Sequence, residues 1–514
     1  MEKTGSVTLV GAGCGRDLIT VKGLSVLQSA DVVIYDDLID GNLLLETKPD
    51  CERIYVGKRM GRHSKSQEEI HALLAKKAKE GRQVVRLKGG DSFVFGRGGE
   101  EILYLQKEGV PCKVIPGVTS AVAVPEHAGI PVTHRGLSQS VTIITGHSAS
   151  GKEENYQALA ALDGTLVFLM GLSRIQEITE KLLANGKQPK TPAAIISRGY
   201  TADEKRIDGT LADIAQKAGE ARTPAVLVVG QAAGLDLAQR SPEELAGVSV
   251  TVTGTEAFVK KACQLLSGLG AEVDGRPCLQ VIPDAENIPD ALDDFTWLVF
   301  TSANGVAVFF KELSLRKTDL RRLSGLKFAC IGSGTADKLK EYGIYADFCP
   351  AVFTAQKLGE GLVSKLEAAQ KPGEKVLILR AKDGSPDLTA ELAKGGILFE
   401  DAAIYHTEIM AERIQGFCAE TDYMVFGSAH GVETFLERGD LSSRTVPVCI
   451  GPGTARALEK KRPGIRSALP EQYTIEGIAE AIAEDRKRKK WKYSERKIYL
   501  PFTIKQKEVR LNVR

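Results

Sequence analysis

The stretch Val84-Val-Arg-Leu-Lys-Gly-Gly-Asp-Ser-Phe-Val-Phe-Gly-Arg-Gly-Gly-Glu-Glu101 turns a short apolar strand into a loop that holds five glycines and several fixed charges. Gly89 and Gly90 allow the backbone to approach a bound molecule closely or to take a positive φ angle. Asp91 can accept hydrogen bonds, and three side chains supply cations: Arg86, Lys88 and Arg97. The stretch therefore predicts a strand that leads into a ligand-binding loop, with an ordinary surface turn as the alternative.

Strand-like apolar runs alternate with amphipathic segments along the whole chain, which predicts an α/β fold. A chain of 514 residues is too long for one core and is expected to form about three or four compact units. One boundary is expected at Gly234–Leu245, where a polar stretch precedes a new strand at Ser249–Thr253. The other predicted strands are Val7–Val10, Val32–Tyr35, Val84–Leu87, Val141–Thr145, Leu166–Met170 and Ala225–Val229.

The composition is that of a soluble globular protein, with 43% hydrophobic and 26% charged residues and no apolar run long enough to span a bilayer. Met1–Gly5 leads directly into the first strand and leaves no room for a signal peptide, so a cytoplasmic location is expected. The nine cysteines show no metal-site or disulfide spacing, and we interpret them as reduced, mostly structural thiols at positions 14, 51, 112, 263, 278, 330, 349, 418 and 449.

The net charge of +2 is unevenly distributed along the chain. Arg486–Arg514 contains twelve Lys or Arg residues against two Glu, a charge of +10, which leaves about −8 for residues 1–485. A segment this basic, with Trp491 and Tyr493 interleaved, could bind an anionic partner or form a solvated or disordered terminus. Because it carries no recognisable nucleic-acid module, no nucleic-acid partner is expected.

The second half of the chain contains an internal duplication. Val299-Phe-Thr-Ser-Ala-Asn-Gly-Val recurs as Val425-Phe-Gly-Ser-Ala-His-Gly-Val, and Ala329-Cys-Ile-Gly-Ser-Gly-Thr recurs as Val448-Cys-Ile-Gly-Pro-Gly-Thr. Each copy has the pattern of a buried strand, a turn of small residues and a helix start. Two similar α/β lobes are therefore predicted, with a ligand in the cleft between them.

The strand at Ser249–Thr253 precedes every copy, which suggests that one lobe is assembled from both ends of this half. We place lobe 1 at about 247–283 plus 421–482 and lobe 2 at about 284–420. The remaining residues, 483–514, are assigned to a basic tail.

The first strand runs into Gly11-Ala-Gly13-Cys-Gly15, which superficially resembles a dinucleotide-binding loop. Its spacing is Gly-x-Gly-x-Gly and not Gly-x-Gly-x-x-Gly, and no acidic residue closes a second strand at the required distance. The loop is therefore weak evidence for a nicotinamide cofactor.

An ordered series of motifs indicates a different ligand. The first loop is followed by Ala30-Asp-Val-Val-Ile-Tyr-Asp36, Val56-Gly-Lys58-Arg59, Gln67-Glu-Glu-Ile, Gly89-Gly-Asp91, Pro116-Gly-Val-Thr119-Ser120-Ala and Ala128-Gly-Ile-Pro-Val-Thr-His134-Arg135. In this order the motifs resemble the tetrapyrrole methylase family over residues 5–235. Within that family they resemble the uroporphyrinogen-III C-methyltransferases, which use S-adenosylmethionine to methylate two ring positions and make precorrin-2. The resemblance implies a tetrapyrrole-methylase fold of two α/β subdomains at residues 1–240.

The resemblance also implies roles for individual residues. Asp36 matches the proton acceptor and Lys58 the proton donor. These roles suit a pyrrole carbon that attacks a sulfonium methyl as an enamine-like nucleophile, since a carboxylate that removes a proton and a cation on the other side of the transfer both help. The alternatives are a strand-end cap for Asp36 and an ordinary surface lysine for Lys58. The residues implied to bind S-adenosylmethionine are Gly11, Gly13, Cys14, Gly89, Gly90, Asp91, Val94, Thr119, Ser120, Met170 and Gly199.

A porphyrinogen carries many carboxylates, so its binding site needs cations. The candidates, each with a solvated surface charge as its alternative, are Lys58, Arg59, Arg62, His63, Lys65, His134 and Arg135. Cys14 and Ser92 stand where the family usually has proline, which frees φ in two turns beside the donor site. We expect these two replacements to weaken donor binding at most.

Residues 247–482 resemble uroporphyrinogen-III synthase, which closes linear hydroxymethylbilane while inverting its last ring. The matching pieces are Phe300-Thr-Ser-Ala-Asn-Gly-Val, Ile331-Gly-Ser-Gly-Thr335-Ala, Gly395-Gly-Ile with Tyr405 after it, Phe426-Gly-Ser428, Ile450-Gly-Pro-Gly-Thr454-Ala and Tyr473-Thr-Ile-Glu-Gly. The resemblance implies that Tyr405 assists the departure of the substrate hydroxyl. Five hydroxyls at strand-to-helix turns either bind substrate carboxylates or cap the helices: Thr301, Ser302, Thr335, Ser428 and Thr454.

The two resemblances together predict a bifunctional enzyme, a lyase and a transferase of the sirohaem or cobalamin pathway. It would cyclise hydroxymethylbilane to uroporphyrinogen III and methylate that product. The alternatives are a methylase that acts on a later corrinoid precursor, or a second half that binds substrate without catalysis. Small tetrapyrroles are the expected partners, without membrane or metal, and the methylase resemblance implies a homodimer.

Overall fold

The computed structural model describes residues 5–57, 66–146, 154–201, 203–238, 244–369 and 373–496. The chain divides into two units, Met1–Val248 and Ser249–Arg514. Within the described ranges, no helix combines the length and the apolar character that crossing a membrane would require.

The first unit begins with a parallel sheet whose strands are rich in Val and Ile. Its elements are β1 (Ser6–Gly11), α1 (Val21–Ser29), β2 (Val32–Tyr35), β3 (Glu52–Tyr55), α2 (Gln67–Lys79), β4 (Gln83–Lys88), α3 (Gly98–Lys107), β5 (Cys112–Ile115) and α4 (Ser120–His127). The strand order is β3-β2-β4-β1-β5, and every pair is parallel. Because the strands are parallel, the loops after β1, β2 and β4 open at the same edge of the sheet.

A second, mixed sheet completes this unit. Its elements are β6 (Val141–Thr145), α5 (Tyr156–Ala161), β7 (Thr165–Leu169), α6 (Ile175–Ala184), β8 (Pro192–Ser197), β9 (Lys205–Thr210), α7 (Ile214–Lys217) and β10 (Ala225–Val229). The order is β6-β7-β10-β8-β9. β6 and β7 are parallel, and β10 runs antiparallel to both of its neighbours. The predicted strands of this half are confirmed, although Met170 lies one residue beyond β7.

The second unit is built on one sheet of eight strands, β14-β13-β15-β16-β12-β11-β18-β20. The elements along the chain are β11 (Ser249–Thr255), α8 (Glu256–Gly268), β12 (Glu272–Pro283), β13 (Trp297–Phe300), α9 (Ala303–Leu315), β14 (Lys327–Cys330), α10 (Ser333–Lys340), α11 (Ala355–Ala369), β15 (Lys375–Ala381), α12 (Asp387–Lys394), β16 (Leu398–Ile409), β17 (Cys418–Ala419), β18 (Tyr423–Phe426), α13 (Ala429–Arg438), β19 (Asp440–Leu441), β20 (Val446–Cys449), α14 (Pro452–Lys461) and α15 (Ile475–Arg496). β17 and β19 form a separate small pair.

Two long strands connect the halves of the eight-stranded sheet. β12 pairs in parallel with β11 and then runs antiparallel to the last five residues of β16. The first part of β16 is parallel to β15. Each half is thus a four-stranded parallel sheet with its own apolar core, and the antiparallel segment of β12 and β16 joins the two.

The structure differs from the sequence analysis at the C-terminal end, where a tail was expected from residue 483. α15 instead continues without a break to Arg496. Its first turns are anchored by buried Ile478 and Ile482. Asp485 accepts a hydrogen bond from the Tyr423 hydroxyl at 3.0 Å and pairs with Arg466 at 2.6 Å. These contacts hold α15 against the rest of the second unit. The Lys and Arg residues that follow are good helix formers and can extend the helix.

Candidate functional site

Three loops meet at the edge of the first sheet where β1, β2 and β4 end. Gly90 N donates to the carbonyl oxygen of Gly13 at 2.8 Å, and Gly13 N donates back to Gly90 at 3.1 Å. Gly89 lies against the turn after β2, since a Cβ there would be 2.4 Å from the carbonyl oxygen of Leu38. The glycines allow the backbones to approach this closely, so the two predicted glycine loops lie side by side.

Asp91 fixes the loop after β4. Its Oδ1 accepts from Phe93 N at 2.8 Å, and its Oδ2 accepts from Gly117 N at 3.0 Å. Gly117 packs in turn against Gly11, where an added Cβ would lie 2.5 Å from Gly117 N. Asp91 therefore ties the predicted donor loop to the segment that leads into α4. That segment ends at the predicted Thr119, whose hydroxyl caps α4 just before Ser120.

Residues of several predicted motifs gather around one apolar cluster. Cys14 and Val94 pack against the buried cluster that contains Val124. A Cβ at Gly199 would be 2.6 Å from a methyl group of Val124, so this glycine also touches the cluster. Tyr200, which the sequence analysis missed, packs against the same cluster. The structure thus brings together positions that are far apart in the sequence.

Positive φ angles occur at several non-glycine positions, one of which, Tyr200, packs against this cluster. Among the described residues, the non-glycine positions with positive φ are Phe95, Arg97, Met170, Arg198, Tyr200 and Lys317. Met170, with φ of 55°, is a predicted donor contact, and Arg198 and Tyr200 flank the predicted Gly199. Such strained conformations persist where surrounding contacts hold them, and they cluster at ligand sites. Arg198 and Tyr200, on either side of Gly199 and next to the apolar cluster, support a binding site here.

Tyr200 is held by contacts that connect distant segments. Glu204 Oε2 accepts from Tyr200 N at 2.8 Å and lies 2.8 Å from His127 Nδ1. The His127 and Tyr200 rings lie against each other with centroids 4.2 Å apart. A Cβ at Gly15 would be 2.8 Å from Tyr200 Cδ1, so the ring covers the first glycine loop. The sequence signal that could have revealed Tyr200 is an aromatic residue directly after Gly199, which the family resemblance assigns to donor binding.

Asp36 lies one residue beyond β2, and its carboxylate is 24% exposed. Oδ1 accepts from Leu38 N at 3.1 Å and closes the turn, so the strand-end cap proposed as an alternative is present. Oδ2 accepts from Arg86 Nη2 at 2.8 Å. A partly exposed carboxylate beside the glycine loops is therefore held from two sides, which leaves it able to exchange a proton with a bound molecule.

Arg86 and Lys88 have a different role from the ligand-facing cations suggested by the sequence. Both side chains are buried, and both donate to Glu101 Oε1 at 3.2 Å. Burial and the nearby Arg86 guanidinium lower the pKa of Lys88, and the negative charge of Glu101 opposes that change. Arg97 pairs on the surface with Glu100 at 2.6 Å. Arg86, Lys88 and Glu101 therefore form an internal charge cluster, whereas Arg97 and Glu100 pair at the surface.

Several predicted residues cannot be placed or lie elsewhere. Lys58, Arg59, Arg62, His63 and Lys65 all lie outside the described residues. His134 and Arg135 occupy an exposed turn before β6, where His134 N donates to Ser138 O at 2.9 Å. Their assignment to substrate carboxylates stays a prediction.

Of the two residues that replace family prolines, Cys14 is partly buried and Ser92 is fully buried. Burial raises the pKa of the Cys14 thiol to about 11, which keeps it protonated at neutral pH. Ser92 is fully buried, and within the described part of the chain its hydroxyl oxygen has no hydrogen-bond partner. A buried, unsatisfied hydroxyl is destabilising, so the serine occupies a position better suited to an apolar side chain.

In the second unit, the duplicated motifs form equivalent helix starts. Ser302 Oγ accepts from Gly305 N at 3.0 Å, and Ser428 Oγ accepts from Gly431 N at 3.0 Å. The N-cap alternative is confirmed for these two serines. Thr301 lies one residue before the first cap and is half-buried.

The second pair of duplicated motifs begins its helices differently. The N-caps of α10 and α14 are Gly332 and Gly451, so the cap alternative is wrong for Thr335 and Thr454, which are buried in the first helical turns. Glycine is tolerated at an N-cap because it has no side chain that would shield the backbone N–H and C=O groups there from other partners. A ring covers each glycine: an added Cβ would lie 2.9 Å from Phe353 at Gly332 and 3.6 Å from Tyr473 at Gly451.

Tyr405 distinguishes one copy of the duplication from the other. Its ring is 4% exposed, and its hydroxyl lies 2.7 Å from Ser302 Oγ. Burial raises the pKa of Tyr405, and hydrogen bonds with Ser302 and Asn304 partly offset this effect. In the other copy, the cap is Ser428, and the nearby Gly431 faces the backbone of Gly254 where the first copy has the Tyr405 ring. The predicted tyrosine is thus connected to a predicted hydroxyl.

The sequence analysis also missed an ion pair where the two halves of the second unit join. His406 Nδ1 lies 2.8 Å from Asp284 Oδ2, and Nε2 lies 3.7 Å from Glu408 Oε1. The hydrogen bond with Asp284 is the main cause that raises the pKa of His406. The pair fastens the end of β12 to β16.

Comparisons with known proteins divide the chain in the same order. Residues 6–215 match the family model of Tetrapyrrole (Corrin/Porphyrin) Methylases, and residues 260–480 match that of Uroporphyrinogen-III synthase HemD. Porphyrin biosynthesis protein HemD of Ruminiclostridium josui is 35% identical over 506 residues, which cover 93% of this chain and 98% of the relative. Uroporphyrinogen-III C-methyltransferase of Methanocaldococcus jannaschii is 56% identical over 233 residues, 44% of this chain and 96% of the relative. A solved uroporphyrin-III C-methyl transferase from Thermus thermophilus, complexed with S-adenyl homocysteine, is 40% identical over 45% of this chain and 94% of its own, with a TM-score of 0.40.

Proposed function

Because the chain belongs to the HemD family of porphyrin biosynthesis proteins, with a tetrapyrrole methylase ahead of a uroporphyrinogen-III synthase, we propose that it catalyses two consecutive reactions. It closes hydroxymethylbilane to uroporphyrinogen III and then methylates that product twice to give precorrin-2, for sirohaem or cobalamin. One observation carries the methylase assignment: the partly exposed carboxylate of Asp36 lies at the sheet edge where the two glycine loops cross.

S-adenosylmethionine supplies an electrophilic methyl group on a sulfonium sulfur. The proposed donor residues fit a molecule of this kind because Gly13 and Gly90, which bond to each other at the loop crossing, have no side chains that would keep a ligand away from the backbone. Cys14, Val94 and Tyr200 add an apolar surface beside it. The thiol of Cys14 stays protonated, so it packs there as a small apolar group and does not compete for the methyl.

When a pyrrole carbon takes the methyl group from the sulfonium sulfur, the ring system becomes cationic, and Asp36 accepts the proton that the macrocycle then loses to become neutral. A carboxylate in this role must be positioned and partly accessible, and the contacts to Leu38 N and Arg86 supply the positioning. Lys58 acts as the proton donor by the family resemblance, and its position lies outside the described residues. The cations of residues 58–65, with His134 and Arg135, receive substrate carboxylates.

The second unit binds hydroxymethylbilane through the four duplicated helix starts. The N-termini of α9, α10, α13 and α14 present the positive ends of their helix dipoles, which favour carboxylates, and α10 and α14 have no side-chain cap on their first N–H groups. Tyr405 assists the leaving hydroxyl through its hydrogen bond with Ser302. The fixed geometry of the protein then favours ring closure at the inverted ring over direct closure.

The quaternary and cellular assignments belong to the same proposal. Residues 1–240 form the methylase and dimerise with a second copy, 247–482 form the synthase, and the enzyme works in the cytoplasm. Size-exclusion chromatography with light scattering of the full chain tests the dimer, which a monomeric mass would exclude.

The decisive experiment gives the purified chain hydroxymethylbilane with and without S-adenosylmethionine, and identifies the tetrapyrroles by isomer-resolving chromatography and mass. We expect type-III uroporphyrinogen without the donor and a doubly methylated product with it. The spontaneous type-I isomer alone would exclude synthase activity and leave a binding role for the second unit. Failure to methylate supplied uroporphyrinogen III would exclude the methylase substrate and favour a later corrinoid precursor.

A further inference from the structure

Glu101 is a buried carboxylate that has no role in the reaction described above. It lies on α3 with a side-chain exposure of 0%, behind the strand that leads into the second glycine loop. Its Oε1 accepts from both Arg86 Nε and Lys88 Nζ, and its Oε2 has no hydrogen-bond partner among the residues that the structure describes. A buried charge with an unsatisfied oxygen is costly, which raises the question of what it contributes.

Arg86 connects this carboxylate to Asp36. Its guanidinium donates through Nη2 to Asp36, through Nη1 to the carbonyl oxygens of Ile34 and Leu87, and through Nε to Glu101. The Nε bond sets the rotation of the planar group about its long side chain. Without it, the two carbonyls alone would have to define the position of the Nη2 nitrogen that holds Asp36.

We propose that Glu101 is a positioning residue that fixes Arg86, and through Arg86 the carboxylate of Asp36, for proton transfer in the methylase site. This inference rests on the proposed methylase function. Lys88 balances the second negative charge of the group, so that two buried cations face two carboxylates. The charges serve geometry more than stability, because a buried ion pair replaced by apolar groups of similar size is often neutral for folding.

The test is the double variant Lys88→Met/Glu101→Leu, which removes one charge of each sign and keeps the volume close to that of the native pair. We expect the fold to be preserved and kcat for methylation of uroporphyrinogen III to fall about 10- to 100-fold, since small displacements of a reacting group cost rates of this order. The KM for uroporphyrinogen III and the Kd for S-adenosylhomocysteine, measured by calorimetry, should change less than about twofold, because the lost contact acts on the reacting carboxylate.

Glu101→Gln keeps an oxygen that can accept from Arg86 Nε, and we expect it to retain more of kcat than Glu101→Leu, a rescue that a purely structural role would not produce. It also keeps the proposal testable if the double variant does not fold. Glu108→Gln is the matched control, because it removes an ion pair with Lys79 at the other end of α3. Its kcat should equal that of the wild type.

The outcomes separate the two proposals. If the wild type methylates uroporphyrinogen III and a folded double variant does so with the same kcat, the positioning role is wrong and the proposed function stands. Equal kcat for Glu101→Gln and Glu101→Leu would likewise overturn it. A wild type that binds S-adenosylhomocysteine but does not methylate uroporphyrinogen III would overturn both.

Discussion

The candidate site on the first sheet is held by charges inside the protein, whereas the candidate site of the second unit is held by hydroxyls and helix N-termini. In the first, Asp36 is positioned by Arg86, which is itself fixed by Glu101. In the second, Ser302 caps a helix and bonds to Tyr405. Methyl transfer leaves a cationic macrocycle that has to lose a proton, and a carboxylate suits that step.

Ring closure of hydroxymethylbilane makes a different demand. Its hydroxyl leaves readily, so the enzyme mainly has to hold a polycarboxylate in one conformation. Repeated helix N-termini suit that purpose because their dipoles favour anions without a fixed side-chain charge. We therefore expect the loss of a charged group to impair methylation by the first unit, and the loss of a hydroxyl to impair ring closure by the second.

The largest effect is expected when the base is removed from the first site. Asp36→Asn should lower kcat for methylation by about 10²- to 10⁴-fold, the range usual for loss of general-base catalysis, because an amide cannot take up the proton. Conversion of hydroxymethylbilane to type-III uroporphyrinogen by the same preparation should not change. Asp37→Asn is the control, since Asp37 is adjacent, exposed and bonded to Tyr55. Loss of both activities in Asp36→Asn would contradict the division of chemistry between the units.

Removal of the Tyr405 hydroxyl should produce the converse result. Tyr405→Phe keeps the buried ring and is expected to slow formation of the type-III isomer by about 100-fold, the lower range for a lost acid or hydrogen-bond donor. Methylation of supplied uroporphyrinogen III should stay at the wild-type rate. The ratio of type-III to type-I isomer, followed by chromatography, measures the effect. An unchanged ratio in the variant would remove Tyr405 from the ring-closure chemistry.

The two serine caps allow a comparison within the second unit. Ser428→Ala should lower the free energy of unfolding by about 1 kcal/mol, the usual value of an N-cap. Ser302→Ala should lower it by about 2 kcal/mol, because it also leaves the buried Tyr405 hydroxyl without this partner, which adds about 1 kcal/mol. Both tryptophans, Trp297 and Trp491, lie in this unit, so urea unfolding followed by tryptophan fluorescence reports on it. Equal losses would mean that the bond to Tyr405 contributes nothing.

Much of the fold could be predicted because its strands are continuous apolar runs bounded by glycine and polar residues. The position of α15 could not, because the contacts of Asp485 with Tyr423 and Arg466 join segments far apart in the sequence. The sequence therefore predicted a tail from residue 483, where the structure has the continuation of α15.

The candidate sites show the same limit. The glycine loops could be predicted, since a dense group of glycines has few other uses. The partners of Arg86 and Lys88 could not, because Glu101 lies on α3, 13 residues after Lys88 and 15 after Arg86, and the path of the chain between them is not evident from the sequence. Tyr200 and His406 were missed because their significance comes from partners across the structure.

His406 gives the smallest of the expected effects and the one that depends on pH. Its pKa is raised in the folded protein, chiefly by the hydrogen bond with Asp284. A proton therefore binds more tightly to His406 in the folded than in the unfolded chain. The stabilisation is complete below the unfolded pKa of about 6.5 and is lost as the pH rises through the higher folded value. Asp284→Asn should therefore lower the urea midpoint of the second unit at about pH 6 and much less at about pH 9. Asp290→Asn, which breaks a pair with Arg316 at 2.8 Å, should show no such dependence over this range, since arginine stays charged. A loss in Asp284→Asn that is equal at both pH values would assign the effect to packing and not to the charge of His406.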